Sequence, residues 1–289
     1  MNCRSPVIRV AAWLAVWAVA AALLSGCAAS LGPQPDPDAS AGALLERLLP
    51  TPLLLVGEQH DAPEHQALQR ALVQQLAARQ RLAALVVEMA ESGTRTTDLP
   101  RDASEAQVRQ ALHWGPDNGG WPWPTYAPVV MAAVRAGVPV LGGNLPRAEM
   151  RAAMGQAELD RLLPSAALER QRSAIQEGHC DLLPAPQIAP MTRIQIARDQ
   201  AMARTASAAV RPGQTVLLVA GNNHVQRDLG VPRHLPPDLA HRVVLSLAQT
   251  ANAKAAPSSE PSPGSDAVWS SPPRAPRDYC GDMKRSLGR

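Results

Sequence analysis

Four short apolar runs, Leu53 to Val56, Leu82 to Val87, Val138 to Leu141 and Thr215 to Ala220, punctuate the chain, and a fifth spans Arg242 to Leu247. Runs this continuously apolar predict strands buried on both faces. Between them the period changes to that of helices. Asp61-Ala62-Pro63-Glu64 has the form of a capping box with an early proline, and Leu68, Ala71, Leu72 and Leu76 follow at helical spacing, predicting a helix over 63–79. Tyr126 to Ala136 ends at Gly137 and Ser165 to Glu177 ends at Gly178, both suited to a helix C-terminus. Met191, Ile194, Ala197, Arg198, Ala201 and Met202 predict a further helix running to the turn Arg211-Pro212-Gly213. The alternation predicts an α/β fold: a mainly parallel sheet flanked by helices, with a helical insertion or lid subdomain over 147–210, where no strand-like run occurs.

The ends of the chain have another character. Met1 to Gly26 carries Arg4 and Arg9, an apolar run from Val10 to Leu24 and then Leu24-Ser25-Gly26-Cys27, the pattern of a lipoprotein signal peptide with lipidation at Cys27. The run is shorter than the about 20 residues of a spanning helix. Ala28 follows the cysteine instead of Asp, which by analogy with bacterial lipoproteins directs the lipid-anchored protein to the outer membrane of the cell envelope. Residues 27–42 read as a flexible tether and 251–289 as a Pro/Ala/Ser-rich tail, leaving 43–250 as the folded domain.

Charge and cysteine usage narrow the partners. The 289 residues carry a formal charge of +3, and losing Arg4 and Arg9 with the leader leaves a near-neutral domain without a Lys/Arg cluster, which argues against nucleic acid. The absence of Phe and scarcity of Lys reflect coding bias and carry no functional message. With Cys3 removed and Cys27 lipidated, Cys180 and Cys280 remain, and in an oxidising compartment the pair is expected to form a disulfide. A metal role for them is weaker, since neither has a second ligand at CxxC spacing, although His179 adjoins Cys180.

Each predicted strand runs out into polar residues: Glu58 and His60 after the first, Glu88 and Glu91 after the second, Asn144 after the third, and Asn222, Asn223 and His224 after the fourth. In an open parallel sheet these ends converge on one crevice. A lone strand-end carboxylate can cap the next helix, a lone histidine can be structural, and asparagines suit turns. Burying two carboxylates with two histidines is costly unless a metal, a ligand or mutual pairing compensates, so the set predicts a functional cluster. Glu58, His60 and His224 could hold a divalent metal ion, with Glu88 as a further catalytic carboxylate; the same residues could also act without metal as acid, base and orienter in a hydrolase. Residues 113–128, HWGPDNGGWPWPTYAP, concentrate Trp114, Trp121, Trp123 and Tyr126, which suit either a flat apolar ligand or the core of a loop.

These motifs, GEQHD with His65 downstream, VVEM, WPWPTYAPVV, GGNLPRAEM, GHCDLLP, RIQIARDQAMA, AGNNHVQRDLGVP and RDYC, resemble in order and spacing the ChaN family of haem-binding lipoproteins in the haem-binding uptake and Tiki superfamily. The resemblance spans about 45 to 247 and the cysteine tail. It implies haem as cofactor, held in a homodimer around the haem with tyrosine on iron, and a role in haem and iron uptake. Tyr126 is then the expected iron ligand, Trp121, Trp123, His65 and Asn144 the expected haem surroundings, and Tyr279 the second tyrosine. Related Tiki and erythromycin-esterase-like proteins imply the alternative, a metal-dependent peptidase or esterase using Glu58, His60 and His224.

Overall fold

The computed structural model describes residues 36–115, 120–249, 264–275 and 277–286; the leader, Cys27 and most of the tether lie outside these residues. Six parallel strands form one sheet: β1 (Leu53–Glu58), β2 (Leu82–Glu91), β3 (Val140–Asn144), β4 (Thr215–Gly221), β5 (His241–Ala248) and β6 (Ala267–Ser271), in the order β3-β2-β4-β1-β5-β6. β1 lies between strands from the far end of the chain, Leu53 facing Val216 on one side and His241 on the other. Every residue of β1 and β4 is buried, as their unbroken apolar runs require.

Alternate strand residues face opposite layers. Leu54, Val56, Leu85, Val87, Leu217 and Val219 pack against α1 (Pro37–Leu48), α2 (Pro63–Ala78), α3 (Glu105–Ala111) and α4 (Trp123–Ala136). Leu53, Leu55, Val86, Leu218 and Ala220 face Met202, Ala203 and Ala206. Those three residues belong to α7 (Ala185–Ala208), which with α5 (Arg147–Gly155) and α6 (Ser165–Gly178) forms the helical insertion expected over 147–210. The insertion has its own apolar cluster, including Leu145, Leu159, Leu163 and Ile196. α4 ends as expected at Gly137, whose φ of 74° favours glycine.

Four expectations are corrected. The tether ends before residue 42, because Asp36 caps α1 at Asp38 and the helix buries Ala41, Leu44, Leu45 and Leu48. The α2 start lacks the expected capping box: Ala62 is the N-cap and no side chain caps it. The domain does not close at 250, since β6 adds a sixth strand to the sheet edge. The tail also carries α9 (Tyr279–Ser286), which follows the short α8 (Asn222–Val225) in helix order. Cys180, in the α6–α7 turn, is disulfide-bonded to Cys280 of α9, with Cα atoms 5.5 Å apart.

Candidate functional site

The strand ends converge as expected. β1 delivers Glu58 because Gly57 permits a close approach: a Cβ there would lie 2.3 Å from Asn222 Oδ1 and 2.7 Å from Val225 Cγ2. β2 delivers Glu88 at an irregularity, its register against β3 shifting between Val87 and Glu91. α8, at the end of β4, supplies His224. Glu58, Glu88 and His224 are all at least nine-tenths buried, while the His60 side chain is 41 % exposed and forms the mouth.

Glu58 is held by donors on every side. Gln66 and Gln69 donate to its Oε2 at 2.8 and 2.6 Å, the Tyr126 hydroxyl donates to Oε1 at 2.7 Å, and His60 Nδ1 lies 2.6 Å from Oε1. Glu88 accepts from Arg198 at 2.5 Å and from the Gly221 amide at 2.6 Å, with His224 Nε2 3.3 Å and His60 Nε2 3.9 Å away. His224 Nδ1 lies 2.5 Å from Asp199. Arg198 also donates to Asn144 Oδ1 at 2.8 Å, and its guanidinium lies 5.8 Å from the Trp121 ring. Trp121 in turn meets His60 edge-on at 5.9 Å between centroids.

The electrostatics follow from this packing. Burial pushes Glu88 up, but His224, Arg198 and His60 outweigh it and hold the carboxyl well below the ordinary range. Burial alone would depress His224, yet Glu88 and Asp199 raise it to about 9. Asp199 is pushed up by burial, only partly offset by His224 and Arg198. Burial acts downward on His60 too, and Glu58 and Glu88 together raise it. The cluster is a charge-balanced floor, with His60 as the group able to exchange a proton with solvent.

A family model described as haem-binding uptake, Tiki superfamily, ChaN matches residues 44–235. The chain belongs to the ChaN family. Among solved structures, ChaN of Campylobacter jejuni, described as showing cofacial haem binding, aligns at a TM-score of 0.60 with 21% identity, over 80% of this chain and 90% of that one. The type III effector HopBA1 aligns at 0.42 with 13% identity, over 86% and 100% of the respective chains. A mutant of the erythromycin esterase EreC, in its open conformation, aligns at 0.43 with 14% identity, over 73% of each. No curated protein sequence matches the chain.

Against the ChaN expectation, the site residues divide. Tyr126 is 1% exposed and spends its hydroxyl on Glu58; burial, reinforced by Glu58, raises its pKa far above an ordinary phenol. Its hydroxyl is turned into the cluster and forms part of its floor. Trp123 is buried with its indole donating to Glu105. His65 lies outside the cluster, accepting from the Gln59 amide and facing Ser271 and the Trp269 ring. Asn144 is buried beneath Arg198. Trp121 alone of the five reaches the mouth, beside His60.

The residues of the alternative metal set are engaged by neighbours within the protein. Among the described residues no three His, Cys, Asp or Glu side chains are grouped to hold a metal ion. Glu58 is saturated by its donors, and the ring nitrogens of His224 face Asp199, Glu88 and Gln195. Sequence reasoning missed Gln66 and Gln69 on α2 and Gln195, Arg198 and Asp199 on α7. Their signal was polar residues at helical spacing inside stripes otherwise apolar.

Proposed function

We propose that this ChaN-family protein binds haem on the exposed rim of the strand-end crevice and serves haem or iron uptake from a lipid anchor at the outer membrane. The observation that carries the reading is the rim itself: His60 meets Trp121 and is followed in the chain by Asp61, whose carboxylate accepts from the hydroxyl of Tyr279, a tyrosine 48% exposed. The cleft beyond Trp121, lined by Met89, Asn144, Met150 and Arg198, is about 280 Å³, below the usual range for an enclosed cofactor site. These residues therefore fit a haem lying on a face and not one swallowed by a pocket. A second copy would cover the outer face, the arrangement that cofacial binding in the Campylobacter jejuni protein suggests.

Ferric haem favours a hard anionic ligand, and Tyr279 is the exposed tyrosine; iron would displace its hydroxyl from Asp61, the bond that raises its pKa. Haemin titrated into the mature protein should give the high-spin spectrum of a ferric tyrosinate, abolished by Tyr279→Phe and retained in Tyr126→Phe. Equal spectra from wild type and Tyr279→Phe would remove Tyr279 as ligand, and absence of saturable haemin binding would sink the reading.

A further inference from the structure

The C-terminal helix α9 has no buried residue, so apolar packing does not hold it in place. Its ties are the Cys180–Cys280 disulfide at its start and the Tyr279 hydroxyl on Asp61, which Arg274 also approaches at 3.5 Å. Both ties act through neighbouring residues, Tyr279 and Cys280, at the first turn of α9. Asp61 belongs to the β1–α2 loop and directly follows His60, whereas Cys180 sits in the α6–α7 turn of the helical insertion. The chain reaches them from β6, at the far sheet edge from β3. The first turn of α9 thus joins the β1–α2 loop, beside His60, to the α6–α7 turn of the insertion. Exposed polar ties such as those to Asp61 contribute little by themselves. The disulfide is the strong one.

We infer that α9 is a redox-released strap beside the strand-end site. Oxidised, it keeps Tyr279 and Asp61 at the His60 mouth. A protein dithiol opens it by thiol–disulfide exchange: two electrons and two protons pass to Cys180 and Cys280, which become thiols, while the dithiol closes to its own disulfide. α9 then leaves Asp61. The opening stands on geometry alone; its effect on haem rests on the reading above, because release would withdraw Tyr279 from the iron.

The test uses the mature protein in detergent, oxidised or treated with a soluble dithiol, and the variant Cys180→Ser/Cys280→Ser without reductant. Diethyl pyrocarbonate modification is followed at each histidine by mass spectrometry. Modification of His60 should accelerate about tenfold in the reduced protein and equally in the variant, with buried His65 and His224 unchanged. An unaltered His60 rate overturns the strap. A general rise that includes His65 and His224 also overturns it, since the disulfide would then hold the whole fold. In parallel, haemin should dissociate about tenfold faster from the reduced protein. If haemin binds neither form, the haem reading fails while the histidine rates still decide the strap.

Discussion

His224 and His65 are both buried, yet their protons obey opposite pulls. For His224 the paired carboxylates defeat burial and lift the ring to about 9, so its contribution to stability is complete below the ordinary value of 6.5 and is lost as pH rises through about 9. For His65 burial prevails over Glu58 and Glu64 and the ring falls to about 4; its contribution is complete above 6.5 and is lost as pH falls through about 4. The unfolding free energy should therefore peak near neutrality and decline on both sides, each limb on the order of 3 kcal/mol or less. Urea unfolding across this range checks it, and His224→Asn should flatten the alkaline limb. An alkaline limb unchanged in that variant would show the slope to belong to other groups. At this scale Glu58, His60, Glu88 and His224 were legible because strand-end polarity after an apolar run is a local signal. Arg198 and Asp199 were not, because their inward direction depends on how α7 docks.

Among the elements, β6 departs furthest from what composition suggests. AVWSS is only five residues long and sits in a segment dominated by Pro and Ser, which masks a strand. It succeeds because β5 offers an open edge and Trp269, 7% exposed, closes the apolar layer against the His65 ring. Trp269→Ala should cost about 3 kcal/mol in chemical denaturation, combining lost burial with a cavity at the sheet edge. A cost under about 1 kcal/mol would mean that β6 is not part of the cooperative sheet. α1 escaped the tether reading in the opposite way: its Pro and Ala are helix N-terminal residues once Asp36 supplies the cap and Leu44, Leu45 and Leu48 find α2. The longer apolar runs and the stop at Gly137 needed no such tertiary help; at the other expected stop the helix instead runs through Gly178, and the left-handed residues are Cys180 and Asp181.

For the whole molecule, the α/β class follows from alternation alone, but strand order and the union of the tail with the insertion depend on contacts between distant segments. Membrane attachment also belongs here. Among the described residues no helix is long and apolar enough to cross a membrane. The anchor we propose is a lipid on Cys27, read from the leader pattern. Cys27→Ser should shift the protein out of the envelope fraction; retention there would defeat the lipoprotein reading. The position of β1 has a kinetic consequence. Both of its partners, β4 and β5, arise from the far end of the folded chain. Closing so long a loop must precede any pairing of β1, so folding should be slow, and α1, β1 and α2 should emerge as an incomplete layer with apolar strand edges uncovered. That interval, before β4 slides between β1 and β2, is when the chain is most exposed to aggregation and most dependent on a holding chaperone.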